Sequence, residues 1–165
     1  ESLDELLPQF VVFHQTGQLN LEQVKNSAAS LIADTSLLEH YFVKGSLSAQ
    51  EMNLAMTAAT LIISRAGTGS IYEIACKGKP SILIPIPEAV SHDQKSNAYA
   101  YARTGAASVL EESNSADGLL AAEINRIMSD PSAYAHMESA AKDFINGDAA
   151  LTIANTLIGI TKEHG

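Results

Sequence analysis

The residues best suited to chemistry lie in one short segment, SRAGTGSIYE, which runs from Ser64 to Glu73. It follows an apolar run typical of a strand and precedes a run typical of a helix. Its two glycines let the backbone approach a ligand closely or adopt a positive φ. The first amides of the helix would be unpaired, and the helix dipole would add a partial positive charge. Such a turn can bind a phosphate without any lysine.

The same segment also has a purely structural interpretation. Ser70 and Glu73 have the spacing of a capping box, in which the serine begins the helix and the glutamate reaches back to its amide. Glu73 also lies near enough to accept hydrogen bonds from the hydroxyls of a sugar. Because glycine-rich connections between strands and helices are common, the pattern alone leaves both interpretations open.

A second polar segment, IPIPEAVSHDQKSNA at residues 84–98, also connects a predicted strand to a predicted helix. Gln94 and Asn97 are three residues apart, so they share a helix face. Both side chains offer donors and acceptors that suit sugar hydroxyls, although a structural role explains them equally well. We interpret His92 and Asp93 as a solvated first turn, in which the dipole favours the acid.

Histidine and cysteine side chains give little sign of catalysis or metal binding. His14 and Gln15 end a predicted buried strand, where a lone histidine is more often a structural hydrogen-bonding group than a catalyst. The five histidines lack metal-ligand spacing, so we predict no metal site. Cys76 is predicted to pack within a helix. No nucleophile with a paired base is evident.

These segments must be positioned by alternating strands and helices. Apolar runs predict strands at residues 10–14, 37–43, 60–64, 81–86 and 107–111. Helical patterns lie at 20–32, 48–58, 70–77 and 91–103, and three more helices are predicted over 115–163, the second opening at Pro131 and the third at Asp148. This order predicts an α/β fold with a doubly wound parallel sheet. Ligands of such sheets bind in the loops that follow the strands.

Composition narrows the function classes. The 165 residues are 46% hydrophobic and 18% charged, which predicts one folded domain over residues 1–165. The net charge of -9 argues against nucleic acid as a partner. A single cysteine excludes an intrachain disulfide and favours a reducing compartment. No apolar run approaches the ~20 residues of a membrane helix, and no signal peptide is evident.

Three motifs in this order, HQTG, SRAGTGSIYEIACKGKPSILIPIP and DQKSNAYAYARTGAA, resemble the C-terminal domain of the MurG family. That family comprises the UDP-N-acetylglucosamine transferases that complete lipid II in peptidoglycan synthesis. The resemblance extends over residues 2–160, nearly the whole chain. It implies the C-terminal, UDP-sugar-binding half of a GT-B glycosyltransferase, with a Rossmann-like sheet.

The resemblance also implies roles for particular residues. The Phe42 backbone would meet the uracil edge, and Glu73 would bind the ribose hydroxyls. The diphosphate would be held by the amides of Thr68, Gly69 and Ser70, and the GlcNAc hydroxyls by Gln94 and Asn97. Further candidates are His14, Gln15, Arg65 and Gly67. We expect no catalytic residue in this chain, because the family's proposed general base lies in its N-terminal domain.

One departure from the family pattern concerns the start of the domain. The family's C-terminal domain begins with a strand and a GGS loop, and no such motif precedes Glu1. We therefore expect a fragment without its N-terminal acceptor domain, whose sheet lacks its first strand and could self-associate at the open edge. The fragment would be inactive alone.

The full-length enzyme would transfer GlcNAc from UDP-GlcNAc to lipid I. It would act as a peripheral protein on the cytoplasmic face of the bacterial inner membrane. The chain has no Asp-x-Asp motif, so we expect no obligatory metal cofactor, although magnesium could assist.

Two other functions stay open. A GT-B transferase could use another UDP-sugar or another lipid acceptor, which a panel of donors would reveal. Alternatively, the domain could be a non-catalytic nucleotide-sugar-binding module that works with a separate chain, which co-purification of a second polypeptide would favour.

Overall fold

A computed structural model of the chain describes residues 3–114, 118–145 and 154–160. Parallel strands alternate with helices, as the sequence predicts. The chain divides into two compact units, one formed by residues 1–60 and 110–134 and the other by residues 61–109 and 135–165.

Unit one contains a two-stranded parallel sheet. Its first half contains α1 (Leu3–Leu6), β1 (Val12–Gln15), a 3₁₀ helix (Gln18–Asn20), α2 (Leu21–Leu31), a second 3₁₀ helix (Thr35–His40), β2 (Tyr41–Lys44) and α3 (Ala49–Ala58). The two strands pair in parallel, with Phe13 opposite Phe42. Parallel pairing requires a crossover, which contains α2. Leu7, Ala28 and Ile32 form the buried cluster against which the sheet packs.

Unit two contains the three-stranded parallel sheet that positions the glycine-rich segment. Its elements are β3 (Ile62–Ser64), α4 (Thr68–Cys76), β4 (Ser81–Leu83), α5 (His92–Ala102) and β5 (Ala107–Val109). The strand order is β3-β4-β5, so β4 is central, and all three of its residues are buried. Ile74 of α4 and Tyr101 of α5 are also almost completely buried. The continuous apolarity of this strand therefore reflects burial on both faces.

The remainder of the described chain is helical. It comprises a 3₁₀ helix (Glu112–Asn114), α6 (Leu119–Met128), α7 (Pro131–Phe144) and a helical segment at residues 154–160. Pro131 begins its helix as predicted, since its missing N–H is not needed there. The predicted helix start at Asp148 lies outside the described residues.

All strand pairs in the described sheets are parallel: β1 pairs with β2, and β4 pairs with both β3 and β5. Parallel pairs joined through helices are what the predicted α/β fold requires. In the described sheets, β1 pairs only with β2 and β3 only with β4.

All five predicted strands were longer than the observed ones, and two of them exceeded the observed length by three residues. Residues 37–40 lie in the 3₁₀ helix, because the Asp34 side chain accepts a hydrogen bond of 3.0 Å from the Ser36 amide and begins a helical turn. The strand therefore starts only at Tyr41. In unit two, β4 ends at Leu83, before Pro85 and Pro87, whose rings remove the N–H groups that a sheet requires.

Candidate functional site

The glycine-rich loop ends in an uncapped helix start. Helix α4 begins at Thr68, and Gly67 is its N-cap residue, with extended dihedral angles of φ −66° and ψ 144°. The first hydrogen bond of the helix joins the Ile71 amide to the Gly67 carbonyl at 3.0 Å. The amides of Thr68, Gly69 and Ser70 precede this bond, so they have no acceptor within the helix. Gly67 has no side chain that could serve as one.

The structural alternative for this loop, a capping box of Ser70 and Glu73, is wrong. Ser70 is the third residue of the helix rather than its N-cap, because Gly67 takes the extended conformation instead. Glu73 therefore lies in the second turn, where its side chain is exposed. Thr68 and Gly69 are exposed and Ser70 is half-buried, so the unpaired amides lie at the surface of unit two.

The space around the two glycines of the loop does not require them to be glycine. Of the two alternatives predicted for these glycines, close approach to a ligand or a positive φ, the second is not observed, because neither Gly67 nor Gly69 is among the described residues with that conformation. A Cβ at Gly67 would meet only the Ser70 Oγ, at 3.9 Å, and one at Gly69 would meet no atom within 4 Å. Within a helix, where Gly69 lies, glycine is destabilising relative to alanine. At the N-cap, where Gly67 lies, glycine is a favoured residue that also leaves the helix start uncovered.

Helix α5 holds the main chain of this loop through two side-chain amides. The Gln94 Oε1 accepts hydrogen bonds from the Ala66 and Ile86 amides, each at 3.2 Å. The Asn97 Nδ2 donates to the Ala66 carbonyl at 3.4 Å. Gln94 and Asn97 thus share a helix face, as predicted, and both contact the segment that leads into α4.

These contacts also fix which way each side-chain amide points. A backbone N–H only donates and a backbone carbonyl only accepts, so the oxygen of Gln94 and the nitrogen of Asn97 must face the loop. The group that Gln94 can offer to a ligand is therefore its Nε2 donor. Asn97 can offer its Oδ1 acceptor.

Arg65 also joins the two loops of unit two. Its Nη1 donates to the Ile84 carbonyl at 3.2 Å, and the Ser64 hydroxyl donates to the Arg65 carbonyl at 3.0 Å. Ser64 ends β3 and Ile84 follows β4. These contacts give Arg65 a structural role in shaping the loop.

The candidates His14, Gln15 and Phe42 lie on the strands of unit one. The His14 Nδ1 and the Tyr41 hydroxyl form a hydrogen bond of 2.7 Å, and desolvation lowers the pKa of the His14 imidazole below its ordinary 6.5. Both rings border an open cavity of about 410 Å³. Gln15 ends β1, and the Phe42 side chain is half exposed on β2.

Metal and membrane sites receive no support from the described residues. Within them, no three His, Cys, Asp or Glu side chains are grouped so that they could hold a metal ion. None of the described helices has both the length and the apolar composition needed to cross a membrane. Cys76 is exposed, so the prediction that it packs in the core is wrong; α4 buries Ile74 and Ala75 instead.

Sequence reasoning missed Ala66, the residue on which the site depends most. It is fully buried, and both of its backbone polar groups are bound by α5. The available signal was weak: Ala66 is the one apolar residue between Ser64 and Ser70.

Comparison with known proteins identifies the domain. Residues 2–153 match the Glycosyltransferase family 28 C-terminal domain. The chain belongs to this family. This chain is 31% identical over 157 residues to a curated protein of Rhizobium etli. It is 30% identical over 167 residues to a curated protein of Listeria welshimeri. Both are named UDP-N-acetylglucosamine--N-acetylmuramyl-(pentapeptide) pyrophosphoryl-undecaprenol N-acetylglucosamine transferase.

These alignments cover 95% and 98% of this chain but only 40% and 44% of the two relatives. The chain thus spans about two fifths of the length of the curated relatives it matches.

Solved structures agree with this family assignment. MurG of Acinetobacter baumannii superposes with a TM-score of 0.77 at 25% identity, over 94% of this chain and 42% of that one. The glycosyltransferase VinC, solved with DTDP, superposes with a TM-score of 0.67 at 20% identity, over 98% of this chain and 40% of that one, which shows the fold alone. The predicted resemblance to the MurG C-terminal domain and the Rossmann-like α/β fold are confirmed.

Proposed function

We propose that this chain is the UDP-sugar-binding domain of an inverting glycosyltransferase. The full-length enzyme would move GlcNAc from UDP-GlcNAc to lipid I and so produce lipid II for peptidoglycan synthesis. It would be a peripheral protein on the cytoplasmic face of the bacterial inner membrane. The observation that carries the proposal is the uncapped start of α4, with its three surface amides after a parallel strand.

The diphosphate would bind at the amides of Thr68, Gly69 and Ser70. These N–H groups and the α4 dipole supply partial positive charge where the chain as a whole has a net charge of -9. Gly67 leaves the space in which phosphate oxygens would approach, since no side chain covers the helix end. This arrangement needs no metal ion, although magnesium could assist.

The ribose and GlcNAc hydroxyls would be bound by side chains of α4 and α5. The exposed Glu73 carboxylate would accept hydrogen bonds from the ribose hydroxyls. A GlcNAc hydroxyl would receive a hydrogen bond from the Gln94 Nε2 and donate one to the Asn97 Oδ1, because their other atoms face Ala66.

The reaction would be a single displacement. The 4-hydroxyl of the lipid-linked muramoyl sugar attacks the anomeric carbon, the bond from that carbon to the UDP oxygen breaks, and the hydroxyl proton passes to a base. Negative charge grows on the departing UDP, where preorganised amides at a helix start stabilise it in the transition state. The base would come from the N-terminal domain of the full-length enzyme.

The two glycines provide a matched test of this site. Gly67→Ala places a methyl group beside the first turn of α4 and should weaken UDP binding by about tenfold or more, roughly 1.4 kcal/mol. Gly69→Ala places its methyl group where it meets no atom of the protein, so it should change UDP affinity less than about twofold. Gly69→Ala should also stabilise the fold by roughly 0.5–1 kcal/mol.

Calorimetric titration with UDP and thermal unfolding of both variants measure these effects. The wild-type chain alone should bind UDP weakly and show no transferase activity. Equal UDP affinity in wild type and Gly67→Ala would overturn the diphosphate assignment. Turnover of UDP-GlcNAc by the purified chain would overturn the proposal that the N-terminal domain is required for catalysis.

We also propose that the chain can self-associate through its open strand edges. In the described sheets, β1 and β3 each pair on one side only, and unpaired strand edges favour pairing with another chain. Sedimentation velocity should show a mass that rises with protein concentration. A monomer at all concentrations would contradict this proposal.

A further inference from the structure

We infer that Gln94 is a positioning residue that sets the start of α4, separately from any contact it makes with a sugar. Its single side-chain oxygen binds the amides of two loops, one after β3 at Ala66 and one after β4 at Ile86. The inference concerns the diphosphate site of the proposed function and deepens it.

The position of Ala66 makes this contact consequential. Ala66 directly precedes Gly67, the N-cap of α4, and its side chain is completely buried. Its N–H is bound by Gln94 and its carbonyl by Asn97, so α5 holds the peptide groups on both sides of this residue. A shift of Ala66 would therefore move the N-cap and change the direction of the helix amides.

Gln94 can hold the loop and contact a ligand at the same time, because the two roles use different atoms. The Oε1 atom holds Ala66 and Ile86, and the Nε2 group remains for a sugar hydroxyl. A residue that acts only on the sugar would affect UDP-GlcNAc binding but not UDP binding. A residue that positions the helix start would affect both.

Two substitutions separate these roles. Gln94→Met has a similar length but no accepting oxygen, so it leaves both amides without their partner. Gln94→Glu keeps an accepting oxygen and removes the Nε2 donor. Its added negative charge disfavours UDP, so tighter UDP binding by this variant than by Gln94→Met could come only from the restored acceptor.

Hydrogen exchange and UDP titration test the inference on the full chain. In Gln94→Met, the Ala66 and Ile86 amides should exchange about tenfold faster without ligand, and UDP affinity should fall by at least about fivefold. In Gln94→Glu, amide protection should persist and UDP should bind more tightly than in Gln94→Met. Asn97→Leu, which releases only the Ala66 carbonyl, should produce a smaller loss of UDP affinity. Persistent protection of Ile82 verifies that each variant is folded.

The outcomes distinguish this inference from the proposed function. Wild-type exchange and wild-type UDP affinity in Gln94→Met would overturn the positioning role. Equal exchange and equal UDP affinity in the Met and Glu variants would overturn it as well. Loss of protection in Gln94→Met, with no UDP binding by the wild-type chain, would support the positioning of the loop and contradict the proposed diphosphate site.

Discussion

Two helices of this chain have the same S-x-x-E sequence pattern near their starts, but only one of those starts is capped by side chains. Helix α3 follows Ser48 with Glu51 three residues later, and α4 contains Ser70 with Glu73 at the same spacing. At α3, the Ser48 Oγ accepts from the Glu51 amide at 3.3 Å, and Glu51 accepts from the Ser48 amide at 2.8 Å. At α4, no side chain caps the helix start.

The difference is the reason we expect an anion to bind at the start of α4 and not at the start of α3. At α3 the capping box satisfies the amides of Ser48 and Glu51 and holds the Glu51 carboxylate at the helix start, where its negative charge disfavours an anion. Helix α4 begins at Thr68 after its N-cap Gly67, and the first three amides of the helix have no side-chain cap. The S-x-x-E pattern alone does not tell which residue takes the extended N-cap conformation; at α4 the helix continues back through Gly69 and Thr68.

A side-chain cap at the start of α4 should have the largest effect on UDP affinity. Gly67→Asp supplies the missing cap and a negative charge, and the observed φ of −66° suits any residue. UDP affinity should fall by about 2 kcal/mol, roughly thirtyfold, while stability of the unliganded chain rises by a few tenths of a kcal/mol. Calorimetry and chemical unfolding measure the two changes. Unchanged UDP affinity would mean that the helix start is not the binding site.

Alanine substitutions of Glu73 and Glu51 should have opposite consequences for donor binding and stability. Glu73→Ala should weaken binding of the UDP-sugar donor by about 1–3 kcal/mol, seen as a raised KM in the full-length enzyme, with little change in stability. Glu51→Ala should leave donor binding unchanged and lower stability, because it removes half of the capping box. Donor binding that is equally insensitive to both changes would remove Glu73 from the site.

A smaller effect is expected at the serine of the capping box. Ser48→Ala should lower the free energy of unfolding by about 1 kcal/mol, since the Glu51 amide loses its acceptor. UDP affinity should not change, because α3 takes no part in the proposed site. Urea unfolding checks the first expectation. A loss of UDP affinity in this variant would contradict the proposal that α4, and not α3, provides the UDP site.

The smallest expected effect is the pH dependence of stability that arises from Glu51. Hydrogen bonds from the Ser48 backbone and side chain hold the pKa of Glu51 below its ordinary 4.5. The stabilisation from this carboxylate is therefore fully present above pH 4.5 and is lost as pH falls through the lowered pKa. In Ser48→Ala, the pKa of Glu51 should return toward its ordinary value. A carbon-detected NMR titration that finds no difference would contradict the capping box.

Local patterns predicted much of the fold correctly. The first half of the apolar run SILIPI forms the buried central strand, and Ser48 with Glu51 begins α3, because each depends on neighbours in sequence. The apolar pair Leu37-Leu38 was assigned to a strand, but Asp34 turns that segment into a 3₁₀ helix. Burial of apolar side chains is common to both structures, so the pattern could not separate them.

The site was harder to predict than the fold. The glycine-rich loop and the shared face of Gln94 and Asn97 were evident from spacing. The contact of Gln94 with Ala66 joins residues 28 positions apart, so no local pattern contains it. The choice of Gly67 rather than Ser70 as the N-cap likewise depends on how α5 holds the preceding residue.

The most direct test is an NMR titration of the chain with UDP that follows the amide signals at both helix starts. The account predicts shifts that grow with UDP concentration at Thr68, Gly69 and Ser70, and no shifts at Ala49 to Glu51. Shifts of equal size at the two helix starts, or shifts confined to residues outside α4 and its preceding loop, would contradict it.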